Sequence, residues 1–71
     1  MGEVQKSRKG YYVIFTIVIE EKIYLQKVKK AGYKLTPHKI KAGHFCDNVV
    51  DEVISAASMI FKLEFTAEYI S

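Results

Sequence analysis

Residues 11–19 read Tyr-Tyr-Val-Ile-Phe-Thr-Ile-Val-Ile, nine positions with one Thr and no charge. A run of β-branched and aromatic side chains without polar alternation predicts a strand covered on both faces. One alternating set is Tyr11, Val13, Phe15, Ile17 and Ile19; the other is Tyr12, Ile14, Thr16 and Val18. The polar break Glu20-Glu21-Lys22 separates this run from 23–30, where Ile23 and Leu25 alternate against Tyr24, Gln26 and Val28. That spacing predicts a tight antiparallel hairpin, although Glu-Glu is not a turn pair that favours one. Gly32 permits a bend, and 33–36 predicts a third short strand. Thr36-Pro37 stops it, because Pro has no N–H to donate. Residues 40–45 read as irregular or as a short edge strand, with Gly43 a flexible point.

Beyond Asp47 and Asn48, both good N-cap residues, the period changes. Val49, Val50, Val53, Ile54, Ala56, Ala57 and Ile60 recur at helical spacing and predict a helix of about three to four turns. Asp51 and Glu52 fall in its first turn, where the helix dipole favours negative charge. From Lys62 the period is two: Leu63, Phe65, Ala67 and Tyr69 alternate with Lys62, Glu64, Thr66 and Glu68, which predicts a strand with one wet and one dry face. These elements define an α+β fold class, a small, mainly antiparallel sheet (β-β-(β)-α-β) with one helix packed on one face. Residues 1–9 predict a flexible basic tail and 10–71 a single domain.

A lone helix covers one sheet face, yet the first strand is apolar on both. A second copy of the chain is the simplest cover for the other face, with loop 31–45 or the tail as the alternative. Tyr12, Ile14, Thr16, Val18 and Tyr24 are therefore the candidate protein-interface residues. Small size points the same way: 71 residues bury only about 60% of the unfolded surface. The single cysteine, Cys46, forms no intrachain disulfide and predicts a reducing, cytoplasmic setting. No apolar run reaches the roughly 18 residues of a membrane span, and 1–10 lacks the apolar core of a signal peptide.

Charge sharpens the picture. Residues 1–45 carry ten basic and three acidic groups, net +7, whereas 46–71 carry one basic and five acidic, net −4. Lys27, Lys29, Lys30, Lys34, Lys39 and Lys41 fall within fifteen residues, beside Tyr33 and His38. Lysines with an aromatic on a sheet suit a phosphate backbone, so these lysines and Tyr33 form the candidate nucleic-acid surface, the alternative function. Lysine also commonly blunts a sheet edge against aggregation. The helix is the acidic element and does not suit a DNA groove.

His38, His44, Cys46 and Asp47 are the one cluster with ligand-type side chains. A structural zinc site wants four ligands in closely paired spacings, which one cysteine and this histidine spacing do not supply. A Cys-His nucleophile pair would lack an orienting third group. The expectation is no enzyme, no metal and no cofactor.

The order Tyr11-Tyr12-Val13-Ile14, Lys22-Ile23-Tyr24-Leu25, then Lys41-Ala42-x-x-Phe45 leading into a Val/Ile/Ala helix and a last strand resembles small ββαβ proteins of bacteriophages and other mobile elements. The usual Gly between helix and last strand is replaced by Met59-Ile60. The resemblance implies a viral inhibitor or modulator that binds a host protein stoichiometrically. The function expected is a non-enzymatic protein-binding module, homodimeric, with no membrane partner.

Overall fold

The computed structural model describes residues 9–28 and 32–70; residues 1–8, 29–31 and Ser71 lie outside the described residues. Among the described residues five strands and one α-helix succeed one another: β1 (Tyr11–Val18), β2 (Glu21–Val28), β3 (Gly32–Thr36), β4 (Phe45–Cys46), α1 (Val50–Phe61) and β5 (Thr66–Tyr69). A single 3₁₀ turn, Lys39–Lys41, lies between β3 and β4. The protein is a small α+β fold, one antiparallel sheet with one helix, as the periodicity predicts.

β1 is the central strand. Phe15 pairs with Tyr24 of β2 on one edge and with Thr66 of β5 on the other. Tyr12 pairs with Tyr69 of β5 and with Phe45 of β4. β4 and β2 therefore share one edge of β1: β2 serves 15–18, and β4 takes over at 11–12. Gly43 N–H donates to the Leu25 carbonyl at 2.9 Å, so 43–46 fills the gap where β2 leaves β1. A Cβ on Gly43 would stand 3.0 Å from the Phe45 ring, which explains a glycine in this wedge. β3 extends the sheet beyond β2 with Leu25 opposite Leu35.

Pairing assigns the faces. Tyr12, Ile14 and Leu25 lie on the helix side and form the main core with Phe45, Val50, Val53, Ala57 and Phe65. Tyr12 and Tyr69 meet edge to face at 5.4 Å. Val13 and Tyr24 lie on the other side with Ala42, flanked by Phe15 and Ile70. The centre of the second face of β1 is thus covered by the chain itself, at Ala42 and Ile70, while Tyr11 and Ile17 of the same set remain exposed.

Three local expectations are corrected. The hairpin turn is Ile19-Glu20, with β2 beginning at Glu21, because Val18 pairs directly with Glu21. The helix N-cap is Val49, with no side-chain cap hydrogen bond; Asp47 instead binds Gly10. The last strand begins at Thr66, since Lys62 leaves the helix in the left-handed region (φ 59°) and 63–65 turns the chain back to the sheet.

Candidate functional site: exposed apolar and charged surfaces

Tyr12, Ile14 and Thr16 lie beneath or beside α1 and are 1%, 0% and 4% exposed. Tyr24 is buried on the opposite face, against Ala42 and Val13. These four belong to the protein's own core: the helix takes the set that includes Tyr12 and Ile14, and Ala42 and Val13 bury Tyr24 on the other face. Val18 alone of the five expected interface residues is exposed, at the end of β1.

Part of the apolar surface that reaches solvent lies at that end, while Tyr11 and Ile40 are exposed elsewhere. Ile17 and Val18 are exposed, Ile19 is 90% exposed, and Met59 and Ile60 are also exposed. The helix begins just after β4, which pairs at Tyr11 and Tyr12, and the chain re-enters the sheet at Thr66 opposite Phe15. So α1 runs from the Tyr11 end of β1 towards the hairpin end, and its last turn shares that end with the hairpin. Glu20, Glu21 and Lys62 are exposed around it.

The hairpin turn is strained. Ile19 has φ 48° and Glu20 φ 65°. Two positive φ values in a two-residue loop match the type I′ turn, whose twist suits the strands but which favours Asn-Gly. For β-branched Ile the left-handed region costs roughly 1–2 kcal/mol through crowding of Cβ against the backbone. Here that cost supports a side chain held out in water.

A second feature is a cleft of about 370 Å³ between α1 and the β2–β3 half of the sheet. Tyr33 and Phe45 line the sheet side, Val49 and Val53 the helix side, and Lys27 and Glu52 supply opposite charges. Tyr33 and Phe45 pack at 6.3 Å between ring centroids. Tyr33 is half-buried there rather than standing free as a stacking platform.

The lysine cluster divides. Lys27 shares the helix face with Tyr33. Lys34 projects from the opposite face of β3, the side on which the turn bearing Lys39 and Lys41 packs through Ala42. Lys29 and Lys30 lie outside the described residues. Lys22, not singled out from sequence, stands 4.4 Å from the Phe15 ring centroid and 3.6 Å from Glu68 Oε1. From sequence Lys22 reads as part of the polar break, and the β1–β2 register that sets it opposite Ile17 is what places it.

His38 and His44 are exposed. Among the described residues no group of three or more His, Cys, Asp or Glu converges on one point. Cys46 donates its thiol to Asp47 Oδ1 at 3.6 Å. Asp47 Oδ1 also accepts from Gly10 N–H at 3.1 Å, while Asp47 N–H donates to the Gly10 carbonyl at 2.9 Å. The Gly10 amide chiefly holds the Asp47 carboxyl below the ordinary aspartate value; the thiol and Lys9 act the same way, and desolvation opposes them. A depressed folded value contributes stability above the unfolded pKa, lost as pH falls through the folded one. We expect the Gly10 amide shift to titrate in acid with an apparent pKa below that of a free aspartate. Asp47→Asn should abolish the titration; a Gly10 amide that titrates unchanged in that variant would refute the assignment.

Among the described residues no helix is long and apolar enough to cross a membrane. No family model, curated protein or solved structure matches the chain.

Proposed function

We propose that this chain is a non-enzymatic protein-binding module that engages a partner protein with the hairpin end of its sheet. The observation that carries this is Ile19: a β-branched side chain 90% exposed on a left-handed backbone. Strain of this sort persists where the rest of the structure holds it, and it concentrates at functional sites. Ile17, Val18, Met59 and Ile60 are also exposed at this end, on both faces of the sheet, and exposed apolar surface marks interaction sites. The resemblance to mobile-element proteins supports a host protein as the target, with binding that blocks or modifies it in the cytoplasm. A homodimer built on the second face of β1 has a smaller basis than the sequence alone implies, since Ala42 and Ile70 cover its centre.

Affinity capture from a bacterial lysate tests this. Wild-type protein should retain a defined partner, and Ile19→Asp and Met59→Lys, each folded by circular dichroism, should lose it at least about tenfold, the loss of one buried anchor residue. Equal recovery by all three would overturn the reading.

Nucleic acid remains the second reading, favoured by Lys34, Lys39 and Lys41, all exposed. Its signature is an affinity that falls steeply as salt rises. An affinity indifferent to salt removes it.

A further inference from the structure

β3 is an outer strand of the sheet; among the described residues it pairs only with β2. One hydrogen bond reveals which of its backbone groups stay open. The Leu25 carbonyl accepts from Gly43 N–H on the β1 side of β2. Since N–H and C=O of one strand residue point the same way in an antiparallel ladder, Leu25 turns away from β3. Its opposite number Leu35 therefore points its own N–H and C=O outward, and so does Tyr33 two residues earlier. Two donors and two acceptors stand in a row there, a template on which an extended chain adds as a further strand. This edge lies along 24–28 of β2, away from the hairpin turn at Ile19-Glu20.

We propose that the β3 edge binds an extended segment of a partner protein, with the pattern apolar–acidic–apolar, by antiparallel strand addition. The side chains of Tyr33 and Leu35 lie on the helix side, half-buried against the main core. Residues paired with them fall on the same face, and the one opposite Tyr33 stands next to a wall of the cleft beside α1. Apolar side chains suit both places.

The other face sets the charge. Lys34 points there and is exposed, and Lys39 and Lys41 are exposed on the turn that packs on that side through Ala42. Among the described residues none of these three lysines has an acidic partner at ion-pair distance. The middle residue of the added segment falls directly opposite Lys34, in the closer, non-bonded class of pair where side chains interact most. An Asp or Glu in that place meets an unpaired ammonium. A second copy of β3 laid in full overlap sets Lys34 against Lys34 instead, and like charges directly opposite destabilise. The lysine thus turns away the chain's own strand and selects an acidic one.

The blocked peptide acetyl-Thr-Val-Glu-Val-Thr-amide, titrated into the isotope-labelled full chain up to millimolar concentration, tests it. The Tyr33 and Leu35 amide protons should move downfield and exchange more slowly with solvent. The same peptide with Lys in place of Glu should bind about fivefold more weakly, and in Lys34→Glu the order of the two peptides should reverse. Methylating both valine nitrogens removes the peptide's donors to the two outward carbonyls and should abolish the shifts. Tyr33 and Leu35 amides that no peptide moves overturn the proposal. So does a methylated peptide that binds as well as its parent, or an order of peptides that Lys34→Glu leaves as it was. Shifts confined to Lys34, Lys39 and Lys41 mark a surface that reads charge alone, as a phosphate backbone would use it, and overturn the proposal too.

Discussion

Replacing Leu25 by Ala is expected to remove most of the folded population at room temperature. Leu25 has no exposed surface and lies on the helix side of β2, in one cluster with Ile14, Val53, Ala57 and Phe65. Truncating a fully buried leucine costs about 2–5 kcal/mol, from lost transfer energy and from the cavity that remains. A core of this size seldom supplies more than about 3–5 kcal/mol in total. Little room exists for collapse around the cavity, because Leu35 flanks Leu25 on β3 and the Gly43 wedge occupies its other side. Urea titration by circular dichroism should show a midpoint near zero denaturant or no native baseline. Ile40→Ala is the control: Ile40 is 91% exposed, and its loss should shift stability by less than about 0.5 kcal/mol. A Leu25→Ala protein within about 1 kcal/mol of wild type would mean that the core lies elsewhere.

The same cluster shows what the residue pattern could convey. β2, the helix and the last strand were legible from a period that local geometry imposes, β1 from an unbroken β-branched and aromatic run, and β3 from the Gly32 and Pro37 that bound it. Alternation in 23–28 sets Leu25 and Ile23 apart from Tyr24, as the structure does. Which face of β1 the helix covers was not legible: both alternating sets are apolar, so periodicity cannot rank them. The helix is connected through β4, and the pairing of Phe45 with Tyr12 settles the choice. The cover of the other face comes from Ala42 and Ile70, single apolar residues in segments without a period. Asp47 has the chemistry of a helix cap, but a contact with Gly10, thirty-seven residues away, takes it instead. The candidate lysines are neighbours in sequence and not on the surface. On a strand, adjacent side chains oppose each other, and the β2–β3 register sends Lys27 and Lys34 to different faces. The split between a basic first part and an acidic last part carries furthest into the structure. The sheet order places Lys34 on one outer strand and Glu68 on the other.

Exchanging the hairpin turn Ile19-Glu20 for Asn-Gly is expected to make the protein more stable and a worse binder. Both turn residues have positive φ, 48° and 65°. Asn tolerates that region, and Gly has no Cβ to crowd, whereas Ile bears the full steric cost. Neither native side chain offsets this by packing within the chain, since both are exposed. Relief should be about 1–2 kcal/mol, which for a domain of this length raises Tm by roughly 4–16 °C. Part of that gain is offset because Gly loses more entropy on folding. The strand register should persist, because Val18 and Glu21 still flank a two-residue loop. Thermal denaturation reads the first effect and partner capture the second. A variant that is stabilised and still binds would separate the strain from function and leave Ile19 without a role. A variant no more stable than wild type would show that the turn does not hold the left-handed geometry on which the proposed binding at this end of the molecule rests.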